Sequence, residues 1–159
     1  MTAKTFVAAW LCAVVAGCSG ATEDRPPSLR FGEEACDHCR MLINEDRFAA
    51  ALVTADGETR KFDEIGCLLE YQAKAPTPVR RCWVRCYSSS QWLDARQAFF
   101  VHSPQLHTPM GCGLAALPTF AKARELADEL HGRIARFDEL PSVMKSRTGD
   151  GLSESGPSK

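Results

Sequence analysis

The sequence predicts an α+β fold in which two small, similar ββα-type lobes pack into one compact unit, preceded by a lipoprotein signal and a flexible tether. Two β-type runs at residues 48–54 and 59–62 flank an Asp-Gly dipeptide typical of a tight hairpin turn, and a helical pattern follows them. A similar order of strands and helix recurs within residues 81–130. Residues 31–141 are numerous enough for one compact domain or two small lobes that share a core.

Residues 1–17 are predicted to be a lipoprotein signal peptide. Lys4 gives a positive start, and residues 6–15 form an apolar run that is too short for a stable membrane anchor. The run leads into a Val-Ala-Gly-Cys sequence that looks like a bacterial lipoprotein processing box, so we expect cleavage before Cys18 and lipidation of Cys18. Acyl chains would hold the domain at the bacterial cell envelope, facing the periplasm. The alternative is a plain secretory signal in which this cysteine is incidental.

The segments on either side of the domain are predicted to lack fixed structure. Residues 18–30, the lipidated cysteine and its tether, contain two prolines, mixed charges and few apolar side chains. Residues 142–159 are mainly Ser, Gly, Lys and scattered charge, which predicts a disordered tail. Between them, residues 31–141 form the predicted domain, with lobes at about 35–76 and 79–140.

The first lobe is predicted from the hairpin and the helix that follows it. Asp63 is expected to cap this helix, and Ile65 and Leu68 fall at helical spacing on its apolar stripe. Pro76 prevents its continuation. Cys67 lies off that stripe, nearer the flank that carries Tyr71.

The second lobe is predicted from two strands, a long loop and a capped helix. The strands lie at residues 81–88 and 98–101, and Thr119 is expected to cap a helix over residues 120–130. A last strand over residues 133–137 leads into Arg-Phe-Asp-Glu-Leu, which echoes the Lys-Phe-Asp-Glu-Ile pentad before the first helix. The echo indicates either an internal duplication or chance similarity of a common strand-to-helix pattern.

Sulfur-bearing residues are the candidate metal ligands. Cys36, Cys39 and Met41 fall within six residues, and Met110 lies between a proline and a glycine in a distant loop. Thiolates and thioethers are soft donors that select Cu(I) over harder cations. If residues 39–41 are extended, two of these sulfurs project from one face of the chain. The pattern predicts a Cu(I) site made of Cys36, Cys39, Met41 and Met110. Taken alone, Met110 is more typical of a loop methionine packed on the core.

Two other site chemistries use the same cysteines. Cys36 and Cys39 form a Cys-x-x-Cys motif that could exchange disulfides, but the sequence around it lacks the preceding strand and following helix that activate such a thiol. A four-cysteine zinc site could add Cys82 and Cys86, whose spacing on a strand is awkward for one tetrahedral ion. Imidazole donors for a metal could come from His38, His102 or His107.

Cys82 and Cys86 cannot pair with each other on a strand. Four residues span about 13 Å there, beyond the Cα limit of about 7 Å for a disulfide. They are expected to point to one face, either as buried thiols or bridged to Cys67 or Cys112, and the sequence leaves the connectivity open.

Charge and motif content exclude two broad functions. The formal net charge of −1 argues against nucleic-acid binding, which needs a basic face. The sequence offers no nucleophile–base pair, phosphate-cradling glycine loop or paired acids, so it predicts a binding protein and not an enzyme.

Taken together, these motifs resemble the NosL family of lipoprotein copper chaperones, which is associated with maturation of nitrous oxide reductase. The resemblance covers residues 35–140 and depends on the order of a lipoprotein signal, Cys-x-x-Cys-x-Met, Lys-Phe-Asp, Trp-Leu-Asp-Ala-Arg, Pro-Met-Gly and Arg-Phe-Asp-Glu. It implies paired ββα lobes that bind one Cu(I) through sulfur and imidazole ligands. It also implies copper delivery to the reductase together with a membrane ABC-type complex.

The resemblance places the family's Cys-x-Met core on Cys39 and Met41, and its Pro-Met-Gly methionine on Met110. Two features depart from the family. Arg40 stands where the family commonly has glycine, and this chain has additional thiols at Cys67, Cys82, Cys86 and Cys112. These departures leave the ligand set open, and the alternatives are another copper enzyme as recipient or a role in metal sequestration. The sequence also leaves open the recipient of the copper, the membrane that holds the lipid and the oligomeric state.

Overall fold

The computed structural model describes residues 25–149, so the predicted signal peptide, Cys18 and the last ten residues of the tail lie outside it. No helix in this part of the chain is both long enough and apolar enough to cross a membrane. Short 3₁₀ helices occur at Asp46–Phe48 and Phe137–Glu139. The strands and α-helices in chain order are β1 (Ala50–Thr54), β2 (Thr59–Phe62), α1 (Ile65–Lys74), β3 (Val79–Arg85), β4 (Trp92–Asp94), β5 (Phe99–His102), β6 (Leu114–Leu117), α2 (Phe120–Glu129), β7 (Arg133–Ala135) and α3 (Leu140–Gly149).

The strands form two antiparallel sheets that share one topology. The first sheet has the order β2-β1-β3-β4, and the second has the order β6-β5-β7. In both, a hairpin is followed by a helix and then by a strand that pairs with the first strand of the hairpin. This arrangement confirms the predicted α+β class and the two similar lobes, and it extends each ββα lobe to a ββαβ unit.

The boundary predicted between the lobes falls inside the first sheet. Strand β3 lies in the range assigned to the second lobe, yet it pairs with β1 through Leu52 and Cys82. The reason is that the strand after each helix returns to its own hairpin. Strand β6, whose Leu-Ala-Ala-Leu sequence was expected to be part of a loop, is the hairpin partner of β5.

The two lobes share a core and a backbone link. Phe62 and Leu68 of the first lobe pack in one buried cluster with Phe100 and Leu114 of the second. The backbone N–H of Tyr87, just after β3, donates to the carbonyl of Ala116 in β6 at 2.9 Å. The lobes therefore form one compact unit, as predicted.

The two helix caps differ in outcome. The Thr119 hydroxyl accepts a hydrogen bond from the Lys122 N–H at 3.3 Å, which confirms the predicted cap of α2. The prediction that Asp63 caps α1 is wrong, since the N-cap residue is Glu64 and its side chain makes no capping bond. The Asp63 carboxylate instead accepts from the Asn44 N–H at 3.4 Å.

The two similar pentads occupy different places in the fold. The first leads from β2 into α1, whereas the second leads from β7 into α3. The equivalent junction in the second lobe is the one between β6 and α2, so the pentad echo does not mark the structural repeat.

The prediction of a disordered tail from residue 142 is wrong for residues 142–149, which belong to helix α3. Helix α3 continues through Gly149, and its Val143 and Met144 side chains pack against the shared core. These two apolar residues, one turn after the buried Leu140, hold the start of the segment on the domain.

Candidate metal centre

Three thiols from two separate elements meet at one end of the first lobe. The Sγ atoms of Cys36, Cys39 and Cys67 all lie within 4.8 Å of one another, and we call this group the trithiol cluster. Cys36 and Cys67 are buried, whereas Cys39 is half-buried. The cluster is therefore enclosed on two sides and reachable from solvent through Cys39.

A tight loop brings Cys36 and Cys39 together. The Cys36 N–H donates to the Met41 carbonyl at 2.8 Å, and the Arg40 N–H donates to the Cys36 carbonyl at 3.1 Å. Arg40 has a φ of 67°, in the left-handed region that favours glycine. This conformation is the physical reason for a glycine preference at the position, and the chain keeps the turn with an arginine there.

The loop is tied to both β2 and α1. Asp37 and Lys61 exchange two bonds, one from the Asp37 N–H to the Lys61 carbonyl at 2.8 Å and one from the Lys61 N–H to the Asp37 carboxylate at 2.7 Å. His38 Nε2 lies 2.9 Å from the Glu70 carboxylate of α1. These links place the two loop thiols against the first turn of α1, where Cys67 lies.

The three thiols of the trithiol cluster have different pKa values, because one of them accepts hydrogen bonds from its neighbours. The Cys67 thiol donates to the Cys36 sulfur and lowers the pKa of Cys36 to about 5, helped by the N–H of Asp63 and opposed by burial. The same contact, together with burial, raises the pKa of Cys67, and burial chiefly raises the pKa of Cys39. One thiolate is thus stabilised by neighbouring donors, and a thiophilic cation can replace the remaining protons.

Cys67 is the cluster member that sequence reasoning missed. On the helix it lies off the stripe of Ile65 and Leu68, so helical periodicity gave no reason to bury it. It is nevertheless 3% exposed, because the cysteine loop covers that flank of α1. One sequence feature could have indicated Cys67: it is a further soft ligand, and it lies in the first turn of the helix that directly follows the hairpin.

The two predicted methionine ligands have exposed side chains. Met41 is 58% exposed and follows Cys39 in the loop, and Met110 is 46% exposed. The Met110 N–H donates to the Glu64 carboxylate at 3.1 Å, directly before α1. Both thioethers are long and adaptable, and ligation by either stays a prediction.

The other three cysteines of residues 25–149, Cys82, Cys86 and Cys112, are buried thiols outside the cluster. All six cysteines in residues 25–149 are free, so neither Cys82 nor Cys86 forms a disulfide there. Burial raises the pKa of Cys82 to about 12, and burial with the nearby Glu64 charge raises that of Cys112 to about 12. Within residues 25–149, neither Cys82 nor Cys86 lies in the group of possible metal ligands that contains Cys36 and Cys39. The alternative of a four-cysteine zinc site made of these residues is therefore not formed there.

The three histidines predicted as possible donors lie in separate parts of the chain. His38 is held by Glu70 beside the cluster, His102 ends β5, and His107 lies in the loop before Met110. None of them belongs to the trithiol cluster as defined by its sulfur atoms.

Comparisons with known proteins agree with this architecture. A protein-family model described as NosL matches residues 30–145. Among solved structures, the crystal structure of the copper chaperone NosL from Shewanella denitrificans matches with a TM-score of 0.61 and 22% sequence identity, over 72% of this chain and 96% of that chain. A likeness at this level of identity shows a shared fold. No match was found among the curated proteins.

Proposed function

The chain belongs to the NosL family, and we propose that it is a copper chaperone that holds one Cu(I) ion on the trithiol cluster. The observation that carries this proposal is the meeting of Cys36, Cys39 and Cys67 within 4.8 Å. Two buried thiols retain the ion, and the half-buried Cys39 provides the side from which it enters and leaves.

The donor set favours Cu(I) over zinc. Structural zinc sites take four ligands, usually cysteine or histidine. The trithiol cluster supplies three thiols, and the predicted additional sulfur donors are the thioethers of Met41 and Met110, which suit cuprous ion. Because both methionines are exposed, they can bind the ion and exchange with a partner's ligands.

The exposed donors also support transfer. A partner can replace Met41, Met110 and then Cys39 one at a time, while the buried thiols still hold the ion. We propose that the recipient is a copper enzyme, namely nitrous oxide reductase, with whose maturation the family is associated. We also propose that an ABC-type membrane complex takes part in the copper delivery. In this proposal the protein is not an enzyme, and a lipid on Cys18 holds it at the periplasmic side of the bacterial envelope.

A competition titration with a Cu(I) chelator, performed anaerobically, tests the site. We expect one Cu(I) per chain, and we expect Cys67→Ala to weaken binding by at least roughly tenfold, since a buried ligand is lost. Cys82→Ala is the matched control, because it removes a buried thiol of the first sheet that lies outside the cluster. Equal affinities of the Cys67→Ala variant and the unmodified protein would contradict the assignment.

Thiol–disulfide exchange by Cys36 and Cys39 is the second candidate, favoured by the lowered pKa of Cys36. The two functions separate in the variants Met41→Leu and Met110→Leu. A chaperone loses Cu(I) affinity in these variants, whereas an exchanger keeps its rate of insulin reduction and shows no copper effect.

A further inference from the structure

A buried carboxylate lies between the two sulfur-bearing segments. Glu64 directly precedes α1 and is 1% exposed. Burial of a carboxylate is costly unless donors compensate it, so such a group is retained where its contacts matter. On one side of Glu64 is the helix that carries Cys67, and on the other is the loop that carries Met110 and Cys112.

Glu64 contacts that loop directly. Its Oε2 accepts a hydrogen bond from the Met110 N–H at 3.1 Å. Its charge also raises the pKa of the Cys112 thiol, after burial as the main cause. The carboxylate therefore holds the backbone at Met110 and lies beside the side chain two residues later.

The contact between loop and helix is close enough to require a glycine. A Cβ on Gly66 would lie 2.6 Å from the Cys112 Cβ and 2.9 Å from Glu64 Oε1. Glu64, Gly66 and the Met110–Cys112 turn thus form one packed junction, at the same helix end as Cys67.

The Met110–Cys112 turn is held by hydrogen bonds within its own loop and by the packing of Cys112 against Gly66. The Gly111 N–H donates to the Thr108 carbonyl at 2.9 Å, and Gly111 has a φ of 73°. The Met110 side chain is 46% exposed, so side-chain packing fixes it only in part. The hydrogen bond to Glu64, together with the packing of Cys112 on Gly66, therefore fixes where the backbone of Met110 lies relative to α1.

We propose that Glu64 is the positioning residue that brings the Met110 thioether to a Cu(I) ion held by the trithiol cluster. Glu64 does not bind the ion, and it acts through the backbone of Met110. This inference rests on the proposed function, and it adds the residue that connects the second sulfur loop to the first.

A double-mutant cycle tests this role on the full folded domain with Cu(I) alone as the probe. We expect Glu64→Ala to weaken Cu(I) binding roughly tenfold, the size of a lost hydrogen bond to a charged group. In a Met110→Leu background the same change should have almost no effect. Glu64→Gln keeps an acceptor and should restore most of the affinity.

A spectroscopic readout separates positioning from stability. With ¹³C-methyl methionine, Cu(I) should shift the Met110 methyl resonance in the unmodified protein and in Glu64→Gln, but not in Glu64→Ala. Glu139→Ala is the matched control, because it removes a carboxylate that accepts the Arg136 N–H at 2.6 Å after β7. If Glu64→Ala does not fold, Glu64→Leu fills the same space without an acceptor.

The outcomes distinguish the two proposals. An equal effect of Glu64→Ala with and without Met110, or an unchanged Met110 methyl shift, would overturn the positioning role and leave the trithiol site intact. Unmodified protein that takes up no Cu(I) would overturn both.

Discussion

Gly66→Ala probes the packed junction between α1 and the Met110 loop. The added methyl carbon would lie 2.6 Å from the Cys112 Cβ and 3.1 Å from its Sγ. Carbon atoms in good contact lie about 3.5–4.0 Å apart, so an atom must move by roughly 1 Å. The loop resists this movement, since the Ser103 N–H donates to the Gly113 carbonyl at 3.0 Å.

Two opposing terms set the magnitude. Overpacking of a well-packed site costs about 1–3 kcal/mol, whereas replacing a helical glycine by alanine gains about 1 kcal/mol. The packing term is larger because both colliding partners are buried. With the packing term in the upper half of its range, at about 2–3 kcal/mol, we expect a net loss of about 1–2 kcal/mol. At roughly 3–6 °C per kcal/mol for a domain of this size, Tm should fall by roughly 3–12 °C.

Thermal unfolding followed by circular dichroism measures this change. Ala73→Gly, at an exposed position of the same helix, is the control that isolates helix propensity and should lose about 1 kcal/mol. A Gly66→Ala variant as stable as the unmodified protein, or more stable, would refute the reasoning. It would mean that the loop does not pack on α1.

Three further predictions concern the cysteine loop. Thiolate absorbance near 240 nm should show one group titrating near pH 5, and Cys67→Ala should raise that pKa by removing its largest cause. The pKa of Cys36 in the folded protein lies below its ordinary value of 9.0. The Cys36 thiolate should therefore stabilise the apoprotein fully above pH 9.0, and this stabilisation should be lost as the pH falls through about 5. Urea unfolding at several pH values checks this. Arg40→Gly removes a left-handed arginine and should leave Cu(I) affinity unchanged while raising Tm by a few degrees, within about 1 kcal/mol; a fall in Tm would contradict this.

The sequence predicted the elements that carry strong local signals. The Asp56-Gly57 turn marked the first hairpin, and the Thr119 hydroxyl marked the start of α2. Strand β6 gave no such signal, because Leu114–Leu117 is buried at all four positions and shows no alternation of apolar and polar residues.

The sequence predicted only those site residues that lie close together along the chain. Cys36 and Cys39 share a loop whose turn closes on itself, so their proximity follows from neighbouring residues. The place of Cys67 depends on contacts between distant segments, namely Asp37 with Lys61 and His38 with an acid of α1. Helix periodicity cannot report such contacts, and it assigned Cys67 to a flank without a partner.

X-ray absorption at the copper edge tests the trithiol site most directly. Protein loaded anaerobically with one Cu(I) per chain should show a first shell of sulfur atoms alone, at least three in number, and Cys67→Ala should lose one of them. A shell dominated by nitrogen or oxygen, or a sulfur count unchanged in Cys67→Ala, would contradict the assignment.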